Sequence, residues 1–293
     1  MKNDIPNNAW LPLWETARVT HEVLEGAIYR CLDETARQHL DGLTGLKAKI
    51  PGALKHPKPA GLSMHVFNAV FAAQYYEIFQ ALQLPRAMAV YEPCVGASTP
   101  VIVATEAYSQ GKARYLAINL NRGLQEELPP QIAHLKTPIR IIECNAQLAL
   151  AHLPSRSFDV ACFHHAVNDI LQTAVSEPRG MDTTSIDWFA NERQMIEWLA
   201  EDAAAGRLDQ QGRPELMQIV GDAAQLVRPG GYIIFDHCNW VHLKGAAWFP
   251  WDLFANLIPM TRRWIKESRL PLEEVHLEGL DPQWWMVLQV RSS

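Results

Sequence analysis

The sequence predicts an α/β protein: a doubly wound, mostly parallel seven-stranded sheet with a terminal antiparallel hairpin, an N-terminal helical lid and inserted cap segments. Three observations carry this reading. Apolar runs of strand length alternate with helical stretches from residue 86 to residue 236, the pattern of a parallel sheet covered on both faces. Polar residues stand where those runs end, at Glu92, Asn119, Asn145, His164 and Asp236. The two closing runs, 273–280 and 284–291, are joined by little more than Asp281 and Pro282, which suits a hairpin and reverses the last strand.

Each element follows from local pattern. Residues 10–42 keep an approximate helical period through Trp14, Ala17, Leu24, Ile28 and Leu32. Glycines and prolines break residues 42–59 into a loop. A second helix is predicted over 63–84, with Val66, Val70, Phe71, Tyr75, Ile78 and Leu82 on one side and Pro85 as its stop. Residues 1–85 are expected to form the helical lid and 86–293 the sheet domain. Strands are predicted at 87–94, 113–119, 139–145, 158–166 and 232–236. Helices are predicted at 100–110, from 121 until Pro129 and Pro130 limit it, at 146–153, at 168–175 and at 214–227. Residues 228–231, ArgProGlyGly, read as a sharp turn into the fifth strand. Two stretches, about 176–213 and 237–271, interrupt the rhythm and are expected to form a substrate cap; most of the ten tryptophans lie in them.

Composition narrows the class. With 293 residues, 48% of them hydrophobic, the chain can bury a large core. A net charge of −6 speaks against a nucleic-acid binder held by a basic surface. No apolar run reaches the roughly 18 residues of a membrane span. The start MKNDIPNNAW carries no apolar signal core, so a cytoplasmic protein without membrane contact is expected. The five cysteines are scattered with no CxxC pair, which predicts reduced thiols and no structural zinc.

Residues 87–99, AMAVYEPCVGAST, organise the rest. A buried strand ends at Glu92, and a tight turn runs through Cys94, Val95, Gly96 and Ala97. Ser98 is placed to cap the helix that Pro100 opens. Gly96 lets a ligand approach the backbone, and the amides at the helix start point at it. In a doubly wound sheet, ligands bind at the carboxyl ends of the strands, beside the first one.

Four ordered motifs bear on function: YEPCVGAST, YLAINLNRG, ECNAQLALAHLPSRSFDVACFHHAVNDI and LVRPGGYIIFD. From about residue 88 to 236, with the final hairpin, the chain resembles the class I S-adenosylmethionine-dependent methyltransferases. The resemblance implies S-adenosylmethionine as cofactor, bound by Glu92, Gly96, Ala97, Ser98, Thr99, Asn119, Leu120, Asn145, Ala146 and His164. Gly96, Ala97 and Ser98 would wrap the methionine part, Asn119 the ribose hydroxyls, and Asn145 and Ala146 the adenine. Two positions depart from the family pattern. Cys94 stands where the first loop glycine is usual. Asn119 stands where a carboxylate is usual, and its amide bonds a hydroxyl without charge assistance. These departures motivate a second reading, a non-methylating cyclase-like or regulatory member of the same fold.

Methyl transfer to a hydroxyl or ammonium needs a base, and histidine suits neutral pH. His164, His165 and His237, all at predicted strand ends, are the candidates, with Asp236 or Asp169 to orient an imidazole. Neighbours along a strand point to opposite faces, so one of His164 and His165 is expected to face the acceptor. Tyr76, Asn168, Trp188, His237, Trp240 and Trp248 are the candidate substrate contacts, suited to a small, partly aromatic or apolar metabolite. The Asn/Asp-Pro-Pro-Tyr/Phe signature is absent after the fourth strand, which lowers the odds of a nucleobase or peptide-amide acceptor. No metal is expected, because the strand-four end lacks the carboxylates that a metal-assisted reaction would use. A small-molecule substrate is the expected partner, with homodimerisation left open.

Overall fold

The computed structural model describes residues 64–237, 246–278 and 280–292. The helix expected over 10–42, most of the 1–85 segment and Trp240 lie outside them.

Strand β1 (Ala89–Glu92) is buried along its whole length. It pairs in parallel with β2 (Arg114–Asn119) on one side and with β4 (Phe158–His164) on the other. Beyond these lie β3 (Ile139–Glu143), parallel to β2, and β5 (Val227–Asp236), parallel to β4. β7 (Trp285–Val290) runs antiparallel to β5, and β6 (Leu272–Glu274) antiparallel to β7. The seven-stranded order is therefore β3-β2-β1-β4-β5-β7-β6. This is the doubly wound sheet with a terminal antiparallel hairpin that the sequence predicts. Its direction of winding reverses between β1 and β4, so a crevice opens at their carboxyl ends.

Helices cover both faces, and alternate strand residues serve two cores. On one face Val90, Ala117, Val160 and Ile234 meet α1 (Met64–Ala81), α2 (Pro100–Ser109) and α3 (Arg122–Ile132). On the other, Tyr91, Ala161, Phe163, Ile233 and Phe235 meet α5 (Ala166–Ser176), α7 (Leu208–Leu226) and α9 (Leu257–Ser268). The short α4 (Ala149–His152) follows β3, α6 (Trp188–Ala204) lies in the first inserted segment, and α8 (Trp251–Ala255) lies in the second. Phe71, Tyr75, Ile78 and Phe79 of α1 are buried in the same cluster as the sheet residues.

Several local expectations are corrected. Thr99, not Ser98, is the N-cap of α2, and its side chain makes no capping hydrogen bond. Helix α3 continues through Pro129 and Pro130 to Ile132, because Leu128 and Ile132 bury against the sheet and outweigh the missing amide donors. Helix α7 begins at Leu208, ahead of Pro214, and Leu208 is buried. The ArgProGlyGly sequence lies inside β5: pairing passes from Phe158↔Val227 to Val160↔Tyr232, so residues 228–231 bulge out opposite Asp159 alone.

Candidate functional site

A cleft of about 540 Å³, its open mouth included, lies at the carboxyl ends of β1 to β4. Gly96, Asn119, Leu120, Asn145, Ala146 and Trp188 line it, all among the residues singled out in the sequence. Apolar walls come from Leu124, Ile170 and Ile219, and further polar groups from Asp169, Thr173 and Glu215.

The first loop is shaped by two left-handed residues, Gly96 at φ +58° and Cys94 at φ +60°. The cysteine thus adopts the backbone that a glycine would take without strain. Val95 N is bound to Ile118 O at 3.0 Å and Ser98 N to Val95 O at 3.1 Å, and no backbone hydrogen bond from the described residues engages the amides of Gly96 and Ala97. Asn119 Nδ2 donates to Gly96 O at 2.8 Å. That bond uses the amide hydrogens a carboxylate would lack, and it leaves the Asn119 carbonyl as an acceptor. Asn145 caps the 3₁₀ turn Ala146–Leu148 by accepting from Gln147 N at 2.9 Å, so its other end is a donor. Burial, and then the Glu192 charge, hold the Asp169 carboxyl well above its usual range.

Glu92 does not line the cleft. It is 1% exposed and accepts the Tyr115 hydroxyl at Oε2. Burial holds its carboxyl well above the usual range; the Tyr115 bond opposes this and Asp236 adds to it. A raised folded value means the unfolded chain gives up this proton first as pH rises. Stability from Glu92 is therefore present below the ordinary glutamate range and declines above it. Glu92→Gln keeps an acceptor for Tyr115 and removes the titration. We expect urea unfolding at pH about 5 and about 8 to show wild type losing stability relative to the variant. A difference between the two proteins that does not move with pH would contradict this.

Asn121, one of the polar residues that follow the second strand and line the cleft, ties the first inserted segment over it. It caps α3 through Leu124 N at 3.0 Å, and its Nδ2 donates to Thr183 O at 3.0 Å and Ile186 O at 2.9 Å. Arg122 N adds a bond to Thr184 O at 3.0 Å. Trp188 enters the cleft from the same segment. Asn121→Ala should cost about 2 kcal/mol, a cap plus lost bonds to two carbonyls. Thermal unfolding checks it, and a change under about 0.5 kcal/mol would show that the segment is held elsewhere.

Beside the cleft, at the ends of β4 and β5, stands a second group. Asp236 is fully buried. It accepts the Tyr75 hydroxyl from α1, lies 3.0 Å from His164 Nδ1 through each oxygen, and lies 3.3 Å from His165 Nε2. The expectation that the two histidines point apart is corrected. Their rings stack at 4.2 Å with planes 28° apart. The strand ends at His164, and His165 takes φ +50° ahead of α5, which turns its side chain back. Asp236, rather than Asp169, is the carboxylate that orients the imidazoles. His237 is buried with its ring 5.7 Å from that of His165. Burial, and then His164, push it down to about 3.

The remaining candidates lie elsewhere. Ala97, Ser98 and Thr99 are not part of the cleft wall, although Ala97 packs against the cluster of Leu124 and Trp188, which are. Tyr76 packs edge-on against Tyr108 in the core. Asn168 is buried and donates to Asp169 Oδ1 at 2.5 Å. Trp248 packs on Phe249 and under Arg193. Thr173, Glu215 and Ile219 line the cleft without having been singled out in the sequence, and Asp169, expected near the strand ends, lines it too. Asp169, Thr173 and Ile170 recur at helical spacing on α5, a signal visible in the sequence only once that helix is aimed at the crevice.

No protein-family model matches the chain, and no curated protein matches it. Solved structures do. The CurJ carbon methyltransferase is 12% identical with a TM-score of 0.46, covering 98% of this chain and 68% of that one. An arsenic(III) S-adenosylmethionine methyltransferase from Chlamydomonas reinhardtii is 12% identical with a TM-score of 0.37, covering 70% and 64%. A SAM-dependent methyltransferase from Aquifex aeolicus is 8% identical with a TM-score of 0.41, covering 73% and 87%. The chain spans only 45% of the length of another match, PH0851. Likenesses this distant say nothing of activity. The sheet itself defines the class: a Rossmann-like α/β fold with an antiparallel terminal hairpin, the arrangement that the methyltransferase resemblance implies.

Proposed function

We propose that this protein is an enzyme that transfers a methyl group from S-adenosylmethionine to an oxygen or nitrogen of a small, partly aromatic or apolar metabolite in the cytoplasm. One observation carries the reading: the cleft at the strand switch point joins a left-handed loop to the amides of Asn119 and Asn145. The residues fit the cofactor. The Asn119 carbonyl can accept from a ribose hydroxyl, the Asn145 amide can donate to a base edge, and Leu124, Ile170 and Ile219 can sandwich an apolar ring. A cation beside Asp169 would draw that carboxyl toward its charged form.

When bound, the cofactor supplies an already activated methyl group on a positively charged sulfur. The chain's own residues then have to align the acceptor and exclude water. Trp188 and the segments about 176–213 and 237–271 would roof the site. The His164–His165 pair, oriented by Asp236, would take the acceptor's proton. The net charge of −6 favours a small molecule over nucleic acid, and no helix among the described residues is long and apolar enough to cross a membrane.

Calorimetry with S-adenosylmethionine and with its demethylated product tests the reading. Both should bind, and Asn119→Ala should weaken binding about tenfold, the worth of one hydrogen bond. Absence of binding by either compound would overturn it. The strained Cys94 and the tethered Asn119 favour one second reading, a cyclase-like or regulatory member that keeps the cofactor site. Turnover without transfer of a labelled methyl group would select that one.

A further inference from the structure

The geometry points to a site for one divalent transition-metal ion, zinc being the best match, held by His164, His165 and Asp236 at the carboxyl ends of β4 and β5. The three side chains each bring a ligand atom within 4.8 Å of the others. The closest approaches, 3.0 Å from His164 Nδ1 and 3.3 Å from His165 Nε2 to Asp236 Oδ2, are tighter still. Two donors, each about 2.0–2.1 Å from a tetrahedral ion, stand roughly 3.3 Å apart. Each imidazole nitrogen is therefore already near the separation from the carboxylate oxygen that coordination needs.

Two independent features single this group out from an ordinary buried hydrogen-bond network. Among the described residues, His164 Nε2 and both ring nitrogens of His237 are buried with no hydrogen-bond partner. Of these, the His237 ring lies beside His165, and its unsatisfied nitrogens carry a cost that a water on the ion would offset. A network that only had to satisfy Asp236 would need one imidazole, yet the left-handed His165 brings a second onto the same carboxylate. Two imidazoles and one carboxylate form a set that suits zinc or iron(II) and leaves coordination positions open. Tyr75 would fix the other carboxylate oxygen, as outer-shell partners do. The side chain of His165 is 19% exposed, which gives an ion a way in.

The inference deepens the methyl-transfer reading at one point and rests on it only there. With an ion held by the imidazoles, the ion, rather than a free ring nitrogen, acidifies an acceptor hydroxyl, whose proton leaves to water. Ion binding itself needs no cofactor.

The test uses the full chain, stripped with a chelator and titrated with zinc chloride by calorimetry. Cobalt(II) serves as a spectroscopic probe of imidazole ligation. Wild type should take up one equivalent, and cobalt should show the visible bands of a low-coordinate nitrogen–oxygen site. His165→Ala and Asp236→Asn should each weaken zinc at least about 100-fold, while the exposed His152→Ala should match wild type. Circular dichroism melts confirm that each variant is folded, and His165, the least buried ligand, keeps the test valid if Asp236→Asn is not. No stoichiometric zinc, or unchanged affinity in folded His165→Ala, overturns the site. S-adenosyl product binding to the stripped protein is measured in parallel. Zinc without that binding sinks only the methyl-transfer reading, and that binding without zinc sinks only this one.

Discussion

Asp236→Asn will unfold at lower denaturant than wild type, with about 3 kcal/mol of unfolding free energy lost. Asp236 has no exposed surface, and among the described residues its carboxylate meets the Tyr75 hydroxyl and the two imidazoles. Asparagine keeps the shape and one acceptor oxygen, but its NH2 must then face the tyrosine hydroxyl or a histidine ring. A charge-assisted bond is lost, worth about 1.5–3 kcal/mol, and a buried donor is left facing another. Tyr75→Phe removes one neutral partner and should cost only about 1–2 kcal/mol. The two changes should not add, because they remove the same contact. Urea unfolding of both single variants and the double variant measures this. Additive losses, or a loss below about 1 kcal/mol for Asp236→Asn, would mean that the carboxylate is not the hub of this cluster.

Gly231→Ala should lose a comparable amount, about 3 kcal/mol, at the upper end of overpacking. A Cβ there would stand 2.5 Å from Asp159 O, 2.6 Å from Val227 Cγ1 and 3.0 Å from Arg228 O. Two of these atoms are backbone within the β4–β5 ladder and cannot swing aside. The neighbouring Gly230 is the internal control. It sits at φ +81° with nothing within 4 Å of its Cβ position, so Gly230→Ala should cost only the conformational strain, about 1 kcal/mol. Chemical unfolding of the pair separates crowding from strain. Equal losses would show that the bulge relaxes and that its close approach is not rigid. Asp236 lies on the same strand, so a shifted bulge would also move the histidine cluster.

Much of the crevice is legible in the sequence. Glu92, Gly96 and Pro100 punctuate a strand, a turn and a helix start, and Asp281 and Pro282 announce a hairpin; these are short-range signals set by backbone propensity. Where propensity met packing, packing prevailed. Pro129 and Pro130 did not end α3, because Leu128 and Ile132 had a core to enter. Residues 228–231 did not lie before β5 but inside it, since Val227 found a partner in Phe158. The polar strand ends were visible as a set, but not their use: Glu92 turned inward to Tyr115, and Asn119 spent its amide on Gly96.

The alternation of strands and helices, the reversal of the last strand and the place of the ligand loop all follow from the order of residues, because each depends on contacts within a few positions of the chain. The meeting of Tyr75 with Asp236, 161 residues away, the two imidazoles on one carboxylate, and the tie from Asn121 to the inserted segment were settled by the assembled sheet. Those contacts join separate elements, and only the closing of β4 against β1 and β5 brings their side chains within hydrogen-bond reach.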